Sequence, residues 1–232
     1  MCVVFALLCA AQRAQGGMVL CGWNFNGPKG TSDASVGTGV ATTLGGVSST
    51  FSAGAPVDSD AASPAENKGW NLAAFAAQGT GSGERGGSFA TSTVGYQSIA
   101  VSWYERHSAS SSRFTQLQYS LDGTAFSSEG LADNGIFEAV LGADVWQAQR
   151  RVDFSSIVGA AGNAKFAVRV VSIFAPGTSA YAATGSSSNY SGAGTLRFDL
   201  VQVEGVAVPA PAAAALGAAS IAVAVAGTRK RG

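Results

Sequence analysis

Residues 98–107 read SIAVSWYERH. Ile99, Val101 and Trp103 fall on one side of the alternation, and Ser98, Ser102 and Arg106 on the other. A period of two is the mark of a strand with one buried face. Downstream, RFTQLQYSLDG (113–123) repeats the pattern, with Leu117, Tyr119 and Leu121 on one face. Its Asp122-Gly123 end is a hairpin signal. RRVDFSSI (150–157), KFAVRVVSIF (165–174) and TLRFDLVQVEG (195–205) are further runs of β-formers. The last two are the most apolar and read as central strands. Upstream stand MVLCGWNFN (18–26), closed by Gly27-Pro28, the short GWNLAAFA (69–76), and GGSFATSTV (86–94). No long stripe of period 3.6 appears, and ADVWQAQR (143–150) offers one helical turn at most. Stretches 27–66 and 175–194 are rich in Gly, Ser and Ala and read as long loops. No internal repeat is visible.

Short strands separated by turn residues predict an all-β fold, an antiparallel β-sandwich of jelly-roll type. GWNFN and LRFDLVQV, the first and last strands, are expected to pair. The alternation predicts a shared core of Ile99, Val101, Trp103, Phe166, Val168, Val170, Phe198 and Leu200.

Composition agrees with a β domain bearing many turns. Charged residues are 12% of the chain, against roughly 25% for a typical domain. Lys plus Arg number 14, as do Asp plus Glu. Four of the bases, Arg13, Arg229, Lys230 and Arg231, lie in terminal segments that hold no acid, so the body is net acidic by four. A mildly acidic body argues against nucleic acid as a partner. The N-terminal MCVVFALLCAAQRAQG reads as a signal peptide over residues 1–16, although a positive start is missing. Its removal takes Cys2 and Cys9 and leaves Cys21 alone, so no internal disulfide is expected.

The chain ends in VPAPAAAALGAASIAVAVAGTRKRG, 208–232. Pro209 and Pro211 keep the preceding chain out of a helix. Ala212 to Gly227 would make a helix about 24 Å long, slightly short of a bilayer core of about 30 Å. Arg229, Lys230 and Arg231 would stay on the cytoplasmic side. Proline motif, apolar helix and basic cluster in this order resemble the PEP-CTERM sorting domain of Gram-negative bacteria. Val208-Pro209-Ala210-Pro211 stands where that family most often has Val-Pro-Glu-Pro, with Ala210 in place of Glu. The resemblance implies cutting by a membrane protease, exosortase, and transfer to the envelope or surface. The bland alternative is a membrane anchor that is never cut. FATSTVGYQSIAVSW, RFTQLQYSLDG, KFAVRVVSIFAPG and LRFDLVQVEG also resemble the bodies of such surface proteins in spacing, which implies a lectin-like sandwich. The expected organisation is a signal peptide 1–16, a β-sandwich 17–207 and a sorting or anchor segment 208–232.

No catalytic constellation stands out. His107 is the only histidine and reads as an exposed residue at a strand end. There is no G-x-S-x-G elbow, and GTGSGERGG (79–87) lacks the Lys-Ser/Thr of a phosphate loop. Paired carboxylates for glycoside hydrolysis would have to come from Glu105, Asp122, Glu129, Asp153 and Asp199. Sugar stacking would fall to Trp70, Trp146, Tyr181 or Tyr190, which lie near loops, while Trp103 belongs to the core. Asp199, with Asn26 beside the first strand, is the candidate for a structural Ca²⁺ site. The alternative for Asp199 is an ion pair with Arg169 or Arg197. Three functions compete: an exported surface or matrix protein of structural or adhesive type, a module binding extracellular polysaccharide, and a surface hydrolase. The first is the leading expectation and is non-enzymatic, with no required cofactor.

Overall fold

The computed structural model describes residues 17–142 and 144–209. In chain order its strands are β1 (Met18–Trp23), β2 (Gly39–Leu44), β3 (Ser48–Ala53), β4 (Lys68–Ala73), β5 (Gly86–Thr91) and β6 (Tyr96–His107). They continue with β7 (Phe114–Ser120), β8 (Ile136–Glu138), β9 (Val145–Trp146), β10 (Arg150–Asp153), β11 (Ala167–Ser172) and β12 (Leu196–Ala207). All pairings between them are antiparallel. One sheet runs β10-β6-β12-β4-β3, with β1 joined to β12 and β9 to β6; the other runs β2-β5-β11-β7-β8. The fold is thus an all-β sandwich, and the first and last strands pair as expected. The signal segment and the tail from Ala210 onward, with its proposed transmembrane helix, lie outside the described residues. Among the described residues no helix is long and apolar enough to cross a membrane.

The strict alternation of β6 drives Ile99, Val101 and Trp103 inward, each 1% exposed. Facing them from the second sheet are Phe89, Leu117, Val168 and Val170. The centre is aromatic: Trp70, Phe89 and Phe198 meet with centroids 5.8 to 6.5 Å apart, and Trp23 and Phe25 close the cluster. Edge and tilted contacts of this kind add to plain burial. Gly87 on β5 makes room for it, because a Cβ there would sit 2.8 Å from the Trp70 ring.

Three expectations need correction. Leu200 is half-buried, not core. It takes φ 46°, and the register shifts between Asp199 and Gln202, so Val201 and Val203 turn inward in its place. Stretch 27–66 is no continuous loop: it carries β2 and β3, each at a sheet edge. Finally, Val145–Trp146 extend as a two-residue strand against β6 instead of coiling.

Candidate functional site

Of the aromatics proposed for sugar stacking, Trp70 is 2% exposed and belongs to the core, so it offers no face to a ligand. Tyr181 and Tyr190 stack on each other with centroids 4.3 Å apart, and Phe174 packs its edge on Tyr181. Their hydroxyls donate to the carbonyls of Thr80 and Ala76 at 3.0 and 2.8 Å. Burial pushes the Tyr181 hydroxyl up to about 12. These rings pin the 175–194 loop to the chain after β4 rather than presenting a stacking platform. Trp146 is half-buried beside Arg106.

Asp199 is fully buried at the β12 bulge. Its carboxylate accepts the backbone N–H groups of Ala55 and Leu200 at 2.6 and 2.8 Å. Burial raises it to about 7, against the pull of those two bonds. The ion pairs considered for it do not form: Arg169 lies in the other sheet, and Arg197 turns to Asn71 Oδ1 and the Ala53 carbonyl. Asn67 Oδ1 is buried beside it with no hydrogen-bond partner. A Cβ at Gly54 would overlap Asn67 Oδ1 and crowd Asp199 Oδ2, so both oxygens border one small space. Asn26 joins this region through Asp58, donating Nδ2 to Asp58 Oδ2 at 2.7 Å. Such oxygens suit a proton or a hard cation. Among the described residues no group of three or more His, Cys, Asp or Glu side chains is placed to hold a metal; Asn26 Oδ1 already accepts the Lys68 N–H at 2.9 Å, so Asp199 with Asn67 Oδ1 is what remains of the expected Asp199–Asn26 site.

His107 is not exposed. It is 1% exposed inside the end of β6, with Nδ1 2.9 Å from the Ser112 carbonyl oxygen and Nε2 3.3 Å from Glu105 Oε1. Glu105, wholly buried, also accepts from Arg150 Nε at 3.1 Å and Trp103 Nε1 at 3.0 Å. Burial pushes this carboxyl up, but His107, Arg150 and Trp103 overcome it and hold it at about 2. Its oxygens are occupied by protein donors, which makes the cluster structural. The other carboxylates weighed for hydrolysis lie apart from it: Asp122 accepts N–H groups within its own turn, Asp153 caps Ser155, and Glu129 is exposed.

The outer faces of the sheets carry polar rows. Residues directly opposite in antiparallel strands share a face. On the first sheet Trp146, Arg106, Arg197, Asn71 and Thr50 stand in register across five strands. Those arginines have partners: Arg106 pairs with Asp144 at 3.1 Å, and Arg197 bonds Asn71 and Ala53.

On the second sheet Thr42, Ser88, Arg169 and Gln118 stand in register across β2, β5, β11 and β7. They alternate with core residues, so their side chains lie on the outer face. The row spans three strand spacings, about 14 Å. Gln118 Oε1 accepts from Arg169 Nε at 2.6 Å, and Gln118 Nε2 donates to Gln116 Oε1 at 2.7 Å. Phe126, folded over from the turn after β7, lies under the guanidinium, 4.4 Å from ring centroid to Cζ. Beside the row, Gly86 and Ala167 are buried and Ala90 is half-buried, and Val171 opposite Gly86 is covered by a second cluster with Phe114 and Ile173. Thr42 is exposed, Arg169, Gln116 and Gln118 are half-buried, and Ser88 is buried. Sequence reasoning missed this row, although the signal was present: Gln116 and Gln118 alternate with Leu117 and Tyr119, and Arg169 interrupts Val168 and Val170.

No protein-family model matches the chain, and no curated protein matches it in sequence. Solved structures resemble it at low identity. The CBM22-1 xylan-binding domain of Xyn10C from Paenibacillus barcinonensis is 13% identical, with 85% of this chain and 100% of that one covered and a TM-score of 0.43. The mannan-recognising carbohydrate-binding module TmCBM27 is 8% identical, with 83% and 99% covered and a TM-score of 0.43. The K3 adhesin domain of Lys-gingipain from Porphyromonas gingivalis is 13% identical, with 70% and 90% covered and a TM-score of 0.35.

Proposed function

We propose that this protein is a non-catalytic, exported β-sandwich that binds extracellular polysaccharide on the outer face of its second sheet. The observation that carries this reading is the row Thr42, Ser88, Arg169 and Gln118, held in register by four strands. Sugars offer hydroxyls that both donate and accept. The row answers with the exposed Thr42 hydroxyl and the Arg169 guanidinium, the latter fixed by the Gln118 amide on one rigid plane. Groups already fixed by a sheet lose little freedom on binding. The earlier preference for a purely structural or adhesive role is set aside, because that role makes no use of such a row.

Export rests on the sequence. The leader brings the chain out of the cytoplasm, and Val208-Pro209-Ala210-Pro211 with Arg229, Lys230 and Arg231 directs exosortase-type sorting to the envelope of a Gram-negative-type cell. Intact-mass measurement of secreted protein tests this part: both terminal segments should be missing, and a mass retaining RKRG would contradict it.

Binding is tested by affinity electrophoresis of the full chain through gels containing soluble polysaccharides. Arg169→Ala with Gln118→Ala should abolish retardation, and Trp146→Ala should leave it unchanged. Retardation that survives the double substitution would remove the row from the site.

A second reading concerns stability: Ca²⁺ held at Asp199. It rests on the unpaired Asn67 Oδ1 facing that carboxylate. Excess Ca²⁺ should raise the thermal midpoint, and Asp199→Asn should remove the effect. An unchanged midpoint would contradict it.

A further inference from the structure

We infer that the outer face of the second sheet selects acidic polysaccharides, with the Arg169 guanidinium receiving the carboxylate of a uronic acid residue. The inference rests on the reading that this face binds polysaccharide. Its ground is a cation without a counter-ion. Among the described residues no carboxylate pairs with Arg169 within 4.0 Å. Its one hydrogen bond there is from Nε to a neutral amide, Gln118. Both Nη atoms are left to donate outward.

The surroundings do not supply the anion from within. The neighbours along the row, Ser88, Gln118 and Gln116, are neutral. Of the acids at this edge of the sheet, Glu138 pairs with Arg113 at 3.3 Å and Asp122 bonds Ser120, Thr124 and Ala125, while the exposed Glu129 and Asp133 make no ion pair with Arg169. Phe126 holds the guanidinium in place by stacking. Partial burial removes water from the group, which holds its pKa below the ordinary value. A half-desolvated cation without a partner is unfavourable in the free protein. It becomes favourable when a planar carboxylate accepts two parallel N–H bonds from it. A lysine would lack that fork. The Gln116 and Gln118 amides and the Ser88 hydroxyl are bonded within the protein, so beside the guanidinium the exposed Thr42 hydroxyl is the group in the row that meets a sugar hydroxyl.

The test compares polymers that differ only in charge. Polygalacturonate and alginate are each paired with their carboxyl-reduced forms, in which every carboxylate has become a primary alcohol. Affinity electrophoresis of the full chain is run at physiological salt, with dextran sulfate as a further gel. Wild type should be retarded by at least one uronate polymer, and carboxyl reduction should weaken retention about tenfold or more, as loss of a charge-assisted pair does. Arg169→Gln should lose the preference for the charged form, Arg169→Lys should recover only part of it, and Arg106→Gln on the other sheet should keep it. Equal retention by charged and reduced forms would overturn the inference and leave polysaccharide binding standing. Retention by neither form overturns both. Retention by dextran sulfate as strong as by the uronate polymers marks simple ion exchange and also overturns it. The comparison of polymers needs no variant, so it decides even if an Arg169 substitution fails to fold.

Discussion

Arg150 and Arg169 are built alike and end differently. Each guanidinium lies over a phenylalanine: Arg150 over Phe137 at 5.3 Å, Arg169 over Phe126 at 4.4 Å. Each donates Nε to a side chain of a neighbouring strand. For Arg150 that acceptor is the buried carboxylate of Glu105, and Nη2 goes on to the Glu138 carbonyl at 2.8 Å. For Arg169 it is the amide of Gln118, and nothing further among the described residues. The first arrangement is complete within the protein and stabilises it. The second has no carboxylate partner among the described residues. Under the proposed function, one residue type in one local geometry serves stability at one place and recognition at another, and the acceptor beside it decides which.

The largest effect should come from breaking the complete arrangement. Glu105→Gln leaves Arg150 and His107 facing a neutral group at the end of β6. It should cost about 3–5 kcal/mol in urea unfolding. Its pH profile carries a second signature. The Glu105 carboxyl falls from an ordinary 4.5 to about 2 on folding. Its contribution is therefore present above about pH 4.5 and lost as pH falls toward 2. Wild type should lose that stability over this window, and Glu105→Gln should show a flatter profile. A cost below about 1 kcal/mol would mean the cluster is not what holds β6, β9 and β10 together.

Asp199 is the buried carboxylate of opposite sign. It rises from 3.8 to about 7 on folding, burial being the main cause. A raised carboxyl favours the native state when protonated, so its contribution is present below about pH 3.8 and lost as pH rises through 7. Asp199→Asn keeps an acceptor for Ala55 or Leu200 and brings an N–H toward the unpaired Asn67 Oδ1. Above pH 7 and without Ca²⁺ it should be the more stable protein, by about 1 kcal/mol. Urea midpoints at pH 8 in chelator check this, and a less stable variant would contradict it.

The smallest stability effect belongs to the open arrangement. Arg169→Gln should shift unfolding by less than about 1 kcal/mol, since it gives up one hydrogen bond and a cation–π contact while shedding a partly desolvated charge. A loss of several kcal/mol would show that Arg169 is needed by the fold and is not free for a ligand.

How much of this the sequence made legible depended on how local the cause was. Alternation within one strand was enough to bury Ile99, Val101 and Trp103 and to set Gln116 and Gln118 on the opposite face from Leu117. It failed at Leu200, where a positive φ and a register shift move the apolar side by one residue. It also failed for His107, whose burial depends on β9 and on Ser112, contacts no strand pattern contains. β2 and β3 were hidden because GVATTL and SSTFSA carry small polar residues, as half-exposed edge strands can. The proposed row was only partly legible: the sequence puts Gln116, Gln118 and Arg169 on outer faces but does not join them. Its members come from four strands spread over residues 42–169, and only the strand order of the folded sheet brings them side by side.

Making the second arrangement copy the first decides whether Arg169 receives the ligand's charge. Gln118→Glu places a carboxylate against Arg169 Nε, at the position that Glu105 holds for Arg150. Urea unfolding and affinity electrophoresis on uronate polymers are then measured on one preparation. Gln118→Glu should gain a little stability, about 0.5 kcal/mol for a half-exposed pair, and lose roughly tenfold in uronate affinity. Undiminished binding by Gln118→Glu would contradict that role for Arg169, because a guanidinium neutralised from within could not be the group that receives the ligand's charge.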